Sequence, residues 1–119
     1  MKTIQTAKLN GAALDWAVTK CEEPVGGYKA WVQADLEKGI LHGSDYSSDW
    51  LWGGPIIERE WLYITPRPNE SDEDVRWQCK QHDGIDCVAF GPTPLIAAMR
   101  CYVAIKFGDN VEIPEELLI

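Results

Sequence analysis

The chain has 119 residues, of which 45% are hydrophobic, and a chain of this size can bury a core without disulfides or metals. Its 11 basic and 19 acidic residues give a net charge of −8, which disfavours binding to nucleic-acid phosphates or to an anionic membrane. Residues 1–8 hold no apolar run, and no stretch approaches the roughly 20 apolar residues of a transmembrane helix. We therefore expect one domain over residues 1–119, without a signal peptide or membrane span.

The first third of the chain predicts a strand, a helix and a second strand. Residues 2–8 alternate between polar and apolar side chains, which favours a strand. A helix is expected over residues 11–22, with Asn10 as its N-cap and Pro24 with Gly26-Gly27 as the residues that end it. Residues 28–35 alternate weakly and indicate another strand. The apolar stripe of the helix consists of Ala13, Leu14, Ala17, Val18 and Cys21.

The middle of the chain has weaker periodicity. Residues 38–55 are rich in Gly, Ser and Asp and predict a long loop, a type of segment that is usually functional or mobile in a compact domain. Residues 56–61 are ambiguous between a helical turn and an extended piece. Residues 62–65 predict a short strand, and residues 75–90 predict a β-hairpin.

The hairpin has two candidate registers. A three-residue turn places Cys79 opposite Cys87 and Trp77 opposite Ala89, with the apolar side chains on one face. A two-residue turn instead places Cys79 opposite Val88, and the sequence pattern leaves both registers open.

A helix over residues 94–107 has both of its ends specified by local sequence. Thr93 is a favourable N-cap, and Pro94 occupies the first helical position, where its missing N–H is harmless. Lys106 lies in the last turn, where positive charge suits the helix dipole, and Gly108 follows as the residue after the C-cap.

These elements predict an α+β fold in which a small antiparallel sheet, including the 75–90 hairpin, packs against two main helices at about 11–22 and 94–107. The second helix carries only two charged residues, so it must be covered on more than one side. It is either a buried structural element or part of a subunit contact, and a homo-oligomer is one expectation. Residues 114–118 predict a short helical turn.

The chain contains six Trp and only two Phe, and two tryptophans lie beside a Gly-Gly-Pro sequence and an arginine flanked by glutamates. Stacking surfaces, glycine backbone donors and a planar cation suit a ligand that contains a ring, such as a nucleotide derivative. The candidate ligand-binding residues are Asp49, Trp50, Trp52, Gly53, Gly54, Glu58, Arg59 and Arg100. In the alternative interpretation the tryptophans fix a long loop onto the core, and Arg59 pairs with a nearby carboxylate.

Metal binding and catalysis have less support. Cys79, His82 and Cys87 match no strong zinc spacing. His42 and His82 lie outside any nucleophile motif, and the acidic residues of the middle segment form carboxylate pairs only if the fold brings them together. We expect no metal, no cofactor and no catalytic residue, with a small-molecule hydrolase as the third alternative.

Three blocks of the sequence resemble a known family. They are residues 9–18 (LNGAALDWAV), residues 49–50 with 53–60 (DW and GGPIIERE), and residues 91–104 (GPTPLIAAMRCYVA) with the segment that follows. The blocks resemble the NinX-like accessory proteins of lambdoid phages and related prophages. The resemblance implies a phage or prophage origin and action in the cytoplasm of the bacterial host. Leu51 and Trp52 depart from the family pattern, in which smaller or polar residues are usual.

We expect a non-catalytic binding protein that acts against host defence. The first hypothesis is capture of a small nucleotide-like signalling molecule, with Trp50 stacking on its ring and Arg59 meeting an anionic or carbonyl group. The alternative is an acidic inhibitor of a host protein, or a mimic of nucleic acid. Residues 41–119 support this alternative, because they hold 14 acidic and six basic residues and thus the whole charge deficit. Direct nucleic-acid or membrane binding is not expected.

Overall fold

The computed structural model of the chain describes residues 1–26, 45–81 and 88–118, with the backbone alone for residues 23–26. The helices in this part of the chain are α1 (Gly11–Gly26), α2 (Trp50–Glu60) and α3 (Pro94–Phe107). The strands are β1 (Lys2–Gln5), β2 (Leu62–Pro66), β3 (Trp77–Gln81), β4 (Val88–Gly91) and β5 (Asn110–Ile113). Short 3₁₀ turns occur at Thr6–Lys8, Glu73–Val75 and Glu115–Leu118.

The strands form two small antiparallel sheets. One pairs β1 with β5, and the other has the order β2-β3-β4. The predicted α+β fold is confirmed, as are the strand after residue 61 and the turn near the C-terminus. Strand β5 was not predicted, because its pairing partner β1 lies more than 100 residues earlier in the chain.

Helix α3 lies at the centre of the fold and contacts α1, α2 and all three strands of the larger sheet. Its buried residues are Leu95 and the unbroken run from Ala97 to Val103. The apolar helix is therefore covered within the chain itself. The sequence-based argument for a homo-oligomer, which needs an exposed α3, loses its basis.

Helix α1 is longer than predicted, because its backbone continues through Pro24 to Gly26. The buried carboxylate of Asp15 on α1 accepts a hydrogen bond from the backbone N–H of Ser47 at 2.9 Å. This bond anchors the turn that precedes α2. Cys21 and Cys101 are buried, as expected of small core residues. No helix in the described part of the chain is long and apolar enough to span a bilayer.

Helix α2 corrects the prediction of a loop over residues 38–55. Residues 46–48 form a turn, and Trp50–Glu60 is helical despite the Gly53-Gly54-Pro55 sequence within it. The helix forms because Asp49 caps its N-terminus and Ile56 is buried in the core. The part of the predicted loop before residue 45 lies outside the described residues, as does the predicted strand at 28–35.

The hairpin is confirmed, but both of its candidate registers, with Cys79 opposite Cys87 or opposite Val88, are wrong. Cys79 pairs with Ala89, and Trp77 pairs with Gly91. The observed pairing is displaced by two residues from the three-residue-turn register, so the same side chains stay on the same face. The turn itself, with His82 and Cys87, lies outside the described residues.

Candidate binding surface

Large apolar side chains are exposed along α2 and at the start of β2. The exposed fractions are 54% for Trp50, 74% for Leu51, 45% for Trp52, 68% for Trp61 and 45% for Tyr63. We call these five residues the α2 surface. Five such exposed side chains between Trp50 and Tyr63 are more than the single scattered ones that are normal on a protein surface, and they make this segment a candidate for binding.

The N-terminal end of α2 fixes the position of its two tryptophans. The Asp49 carboxylate accepts a hydrogen bond from the backbone N–H of Leu51 at 2.9 Å, which makes Asp49 the helix N-cap. The Trp52 ring packs edge-on against the buried Tyr46 ring, with centroids 6.1 Å apart. Trp50 is thus an outward ring at the first helical position, whereas Trp52 is held against the fold on one side.

The two glycines of α2 have different packing environments. Gly53 is buried, and a Cβ atom there would lie 2.6 Å from both Tyr46 O and Leu95 Cδ2. Its N–H donates to the Asp49 carbonyl at 3.0 Å within the helix. Gly53 therefore permits close helix packing and does not offer the ligand-facing N–H that an open loop would supply. A Cβ at Gly54 would meet only the Trp50 ring, at 3.9 Å.

A groove of about 740 Å³ opens at the C-terminal end of α2. Trp61 forms one wall, and it ends the helix in a left-handed conformation with φ 55°. That conformation costs roughly 1 kcal/mol for a residue other than glycine. Tyr63, on β2, alternates with the buried Leu62. The groove is lined by Pro55, Ile57, Glu58, Arg59, Trp61, Leu62 and Tyr63.

Arg59 joins the three helices through its guanidinium group. Nη1 and Nη2 donate to the two carboxylate oxygens of Glu22 at 3.1 and 2.7 Å, and Nε donates to Glu60 at 2.9 Å. Nη2 also donates to the Tyr102 hydroxyl at 3.0 Å, and that hydroxyl donates to Glu22 at 2.6 Å. Arg59 pairs with the neighbouring Glu60, as the alternative interpretation expected. Its bidentate partner, however, is Glu22 on α1.

The network shifts the pKa values of its members. The hydrogen bond to Glu22 raises the pKa of the Arg59 guanidinium above its ordinary value, and the bond to Glu60 adds to this effect against desolvation. Burial raises the pKa of the Tyr102 hydroxyl well above its usual range, with a further contribution from its hydrogen bond to Glu22. Tyr102 therefore stays protonated in the folded protein at alkaline pH.

Tyr102→Phe should lower the free energy of unfolding by about 2 kcal/mol at pH 7, because it removes hydrogen bonds to two charged groups. Because the pKa of Tyr102 is raised in the folded state, its contribution to the free energy of unfolding depends on pH. The contribution is fully present below about pH 10, where the tyrosine is neutral in both states, and it decreases at higher pH, where the unfolded tyrosine ionises. At pH 11 the difference between wild type and variant should shrink by about 1.4 kcal/mol. Urea denaturation of wild type and variant at pH 7 and pH 11 measures this difference in the free energy of unfolding. A difference that stays constant would contradict this account.

Arg100 lies apart from the rest of the predicted site. Its side chain is 3% exposed. Nε donates to the Leu9 carbonyl at 2.7 Å, and Nη1 donates to the Phe90 carbonyl at 2.9 Å and to Asp74 at 3.0 Å. Arg100 faces a smaller cavity of about 250 Å³ and, among the residues that the structure describes, shares no partner with Arg59. The structure therefore does not bring the two predicted arginines together.

The remaining chemistry of this region is limited. Glu58 faces the groove, and Asp49 is occupied as a cap. In the part of the chain that the structure describes, no group of three or more His, Cys, Asp and Glu side chains could hold a metal ion. Sequence reasoning missed Trp61 and Tyr63. The available signal for Tyr63 was its alternation with Leu62 in the predicted strand, whereas Trp61 lies in a segment, residues 56–61, whose pattern is ambiguous.

The chain matches a known protein family. A family model described as "Bacteriophage P22, NinX" matches residues 5–106, which include α1, α2, the larger sheet and all of α3 except its last residue. No curated protein sequence matches the chain.

Proposed function

This chain belongs to the NinX family of bacteriophage proteins, and on that premise we propose that it is a non-catalytic binding protein that captures a protein of the bacterial host through the α2 surface. Capture of a host factor would let the phage blunt a host defence. The role in counter-defence is inferred by analogy with other small phage proteins and not from the fold.

The observation that carries the proposal is the concentration of exposed aromatic groups. Five of the nine exposed large hydrophobic side chains in the described residues lie between Trp50 and Tyr63. Tryptophan and tyrosine are enriched at binding hot spots, because they combine a large apolar area with a polar atom. The start of α2 and the groove at its end carry these exposed side chains within one segment of the chain, residues 50–63.

The charge distribution indicates the kind of host protein. Residues 41–119 hold the whole charge deficit of the chain, and they include α2 and the groove. A basic surface on the partner would be attracted at long range, which speeds association and makes it sensitive to salt.

A second candidate is a small nucleotide-like ligand, which the exposed Trp50 ring supports because any base has a face that can stack on it. Fewer hydrogen-bond donors are available to such a ligand than the sequence indicates. Gly53 uses its N–H within the helix, and Arg59 is bound to Glu22 and Glu60. Mass spectrometry of small molecules released from protein purified out of infected cells tests this candidate, since a bound nucleotide would be found there intact.

Photo-crosslinking tests the proposed capture of a host protein. The photoreactive residue p-benzoylphenylalanine is placed at Leu51, or at Phe107 as the control, which is 43% exposed at the far end of α3. We expect irradiation of infected cells to join one defined host protein to position 51 and not to position 107. The same products from both positions, or none from position 51, would contradict the proposal.

A further inference from the structure

A cavity of about 250 Å³ is bounded by the N-terminal 3₁₀ turn, the turn before β3, strand β4 and helix α3. It shares no lining residue with the α2 surface or with the groove at the end of α2. We infer that this cavity binds a small neutral ring that carries a carbonyl group next to an N–H group, as the lactam edge of a pyrimidine such as uracil does. This inference goes beyond the proposed function and does not depend on it.

Arg100 supplies a hydrogen-bond donor at the wall of the cavity. Only 3% of its side chain is exposed. Its Nε and Nη1 atoms donate to the carbonyl oxygens of Leu9 and Phe90 and to Asp74, and these bonds hold the fold together. Nη2 has no acceptor among the residues that the structure describes. Because a buried guanidinium nitrogen without an acceptor is costly, Nη2 is the atom that a carbonyl oxygen in the cavity would meet.

Asp74 supplies an acceptor next to this donor. Its Oδ1 atom lies 3.0 Å from Nη1 of Arg100, so the second oxygen of the same carboxylate is also close to the guanidinium. That second oxygen, Oδ2, accepts no hydrogen bond from any residue that the structure describes. A lactam presents its C=O and its N–H side by side. It can therefore accept from Nη2 and donate to Oδ2 at the same time.

The charges on the wall favour a neutral ligand over an ion. The wall carries one guanidinium, from Arg100, and two carboxylates, from Asp74 and Asp109, which together give −1. An anion would meet the carboxylate of Asp109 as well as the guanidinium. A cation carries no acceptor for Nη2 and would leave that nitrogen without a partner. A neutral lactam satisfies the guanidinium and a carboxylate together.

The charges just outside the wall do not change this balance. Two ion pairs lie in the neighbouring segments, Arg67 with Glu70 and Arg76 with Glu73. Each pair is neutral as a whole, and Lys8 and Asp72, which are close to wall residues in sequence, carry opposite charges. The ammonium group of Lys106 lies instead 5.8 Å from the Tyr102 ring. The surroundings thus provide no excess of positive charge for an anionic ligand.

The size and the walls of the cavity suit a single ring. Six of the ten wall residues are alanine, valine or phenylalanine. Apolar walls with a few polar groups are typical of small-molecule sites. The volume of about 250 Å³ exceeds the roughly 150 Å³ of an engineered apolar cavity that holds benzene in another protein.

The test compares three small probes of similar size on the purified chain: uracil, 1,3-dimethyluracil and benzoate. Nitrogen-15 NMR follows the backbone N–H signals of Ala89 and Ala104, which lie on the cavity wall. We expect uracil to shift these signals saturably, with a dissociation constant of roughly 1 mM for a ligand of this size. Dimethyluracil keeps the carbonyl groups but has no N–H group, so it should bind at least about tenfold more weakly. Benzoate, an anion, should not bind.

Three results of this comparison would overturn the inference. The first is no saturable shift with uracil, which would mean that the cavity holds water only. The second is equal binding of uracil and dimethyluracil, because the N–H group would then play no part. The third is binding of benzoate more tightly than uracil.

Two matched asparagine variants test the acceptor. Asp74→Asn keeps an oxygen for Arg100 but replaces Oδ2 with an amide nitrogen that cannot accept, so uracil should bind about tenfold more weakly. Asp109→Asn makes the same change of charge at the other wall carboxylate and should leave the affinity within about twofold. Equal effects of the two variants would mean that binding follows the charge of the cavity and not the acceptor of Asp74.

A second pair of variants tests the location of the site. Ala104→Leu fills the cavity and should abolish the shifts with uracil, whereas Ala12→Leu makes the same change at a half-buried position of α1 outside the cavity. The asparagine variants test the site independently if leucine at position 104 disturbs the fold. Uracil binding that survives in a folded Ala104→Leu variant would contradict the inference.

Discussion

Arg100→Met is expected to lower the free energy of unfolding by about 3 kcal/mol. The guanidinium is almost completely buried and donates to the carbonyls of Leu9 and Phe90 and to Asp74. Methionine keeps the apolar part of the side chain but leaves two carbonyl oxygens without their donor, at about 1–3 kcal/mol for each buried group. Chemical denaturation of both proteins measures the difference.

Arg76→Met is the matched control, because it makes the same change at an exposed position. Arg76 is 48% exposed, and its nearest carboxylate oxygen, on Glu73, lies 4.0 Å away. This variant should remain within about 0.5 kcal/mol of wild type. A loss below about 1 kcal/mol for Arg100→Met would show that Arg100 is not a structural residue and would return it to the list of ligand-binding candidates.

Gly53→Ala and Gly54→Ala should change stability in opposite directions. At Gly53 the new methyl group would lie 2.6 Å from the carbonyl oxygen of Tyr46, so the backbone must move, at a cost of about 1–3 kcal/mol. At Gly54 the methyl group meets the Trp50 ring at an ordinary 3.9 Å. Alanine there should stabilise the helix by about 0.5–1 kcal/mol.

Thermal unfolding of the two glycine variants measures this contrast without a partner or ligand. Each 1 kcal/mol should move the melting temperature by about 4 °C in a domain of this size. Equal effects of the two substitutions would contradict the packing of α2 against α3. A stable Gly53→Ala variant would restore the original interpretation of this segment as an open loop.

The ends of α3 could be predicted because capping is local. The Thr93 hydroxyl accepts from the Ile96 N–H at 3.1 Å, and Pro94 starts the helix as expected. Gly108 follows it with φ 83° and donates its N–H to Ala104 at 2.8 Å. The signals for all these features lie within a few residues of the helix end.

Helix α2 could not be predicted, because long-range packing overrides its local preferences. Two glycines and a proline disfavour a helix on propensity alone. The helix is stabilised by burial of Ile56 and by the close contact of Gly53 with Leu95, which lies 42 residues later. The hairpin register was missed for a related reason, since a shift of two residues preserves the alternation that the sequence displays.

The candidate site was predicted in part. The exposure of Trp50 agrees with a surface role, and the segment that carries it is where the exposed aromatic groups concentrate. The partner that governs Arg59, Glu22, lies 37 residues earlier, and no spacing rule connects them. Sequence alone therefore overestimated Arg59 as an anion-binding group.

The central claim is that the α2 surface binds a host protein. The direct measurement is isothermal titration calorimetry with the purified host protein that crosslinking identifies. It is titrated with the wild-type chain and with the Trp50→Ser, Leu51→Ser double variant. We predict at least a 100-fold loss of affinity, as roughly expected when two hot-spot side chains are removed, with an unchanged melting temperature. Phe107→Ser should bind like wild type, and equal affinities of wild type and the double variant would contradict the claim.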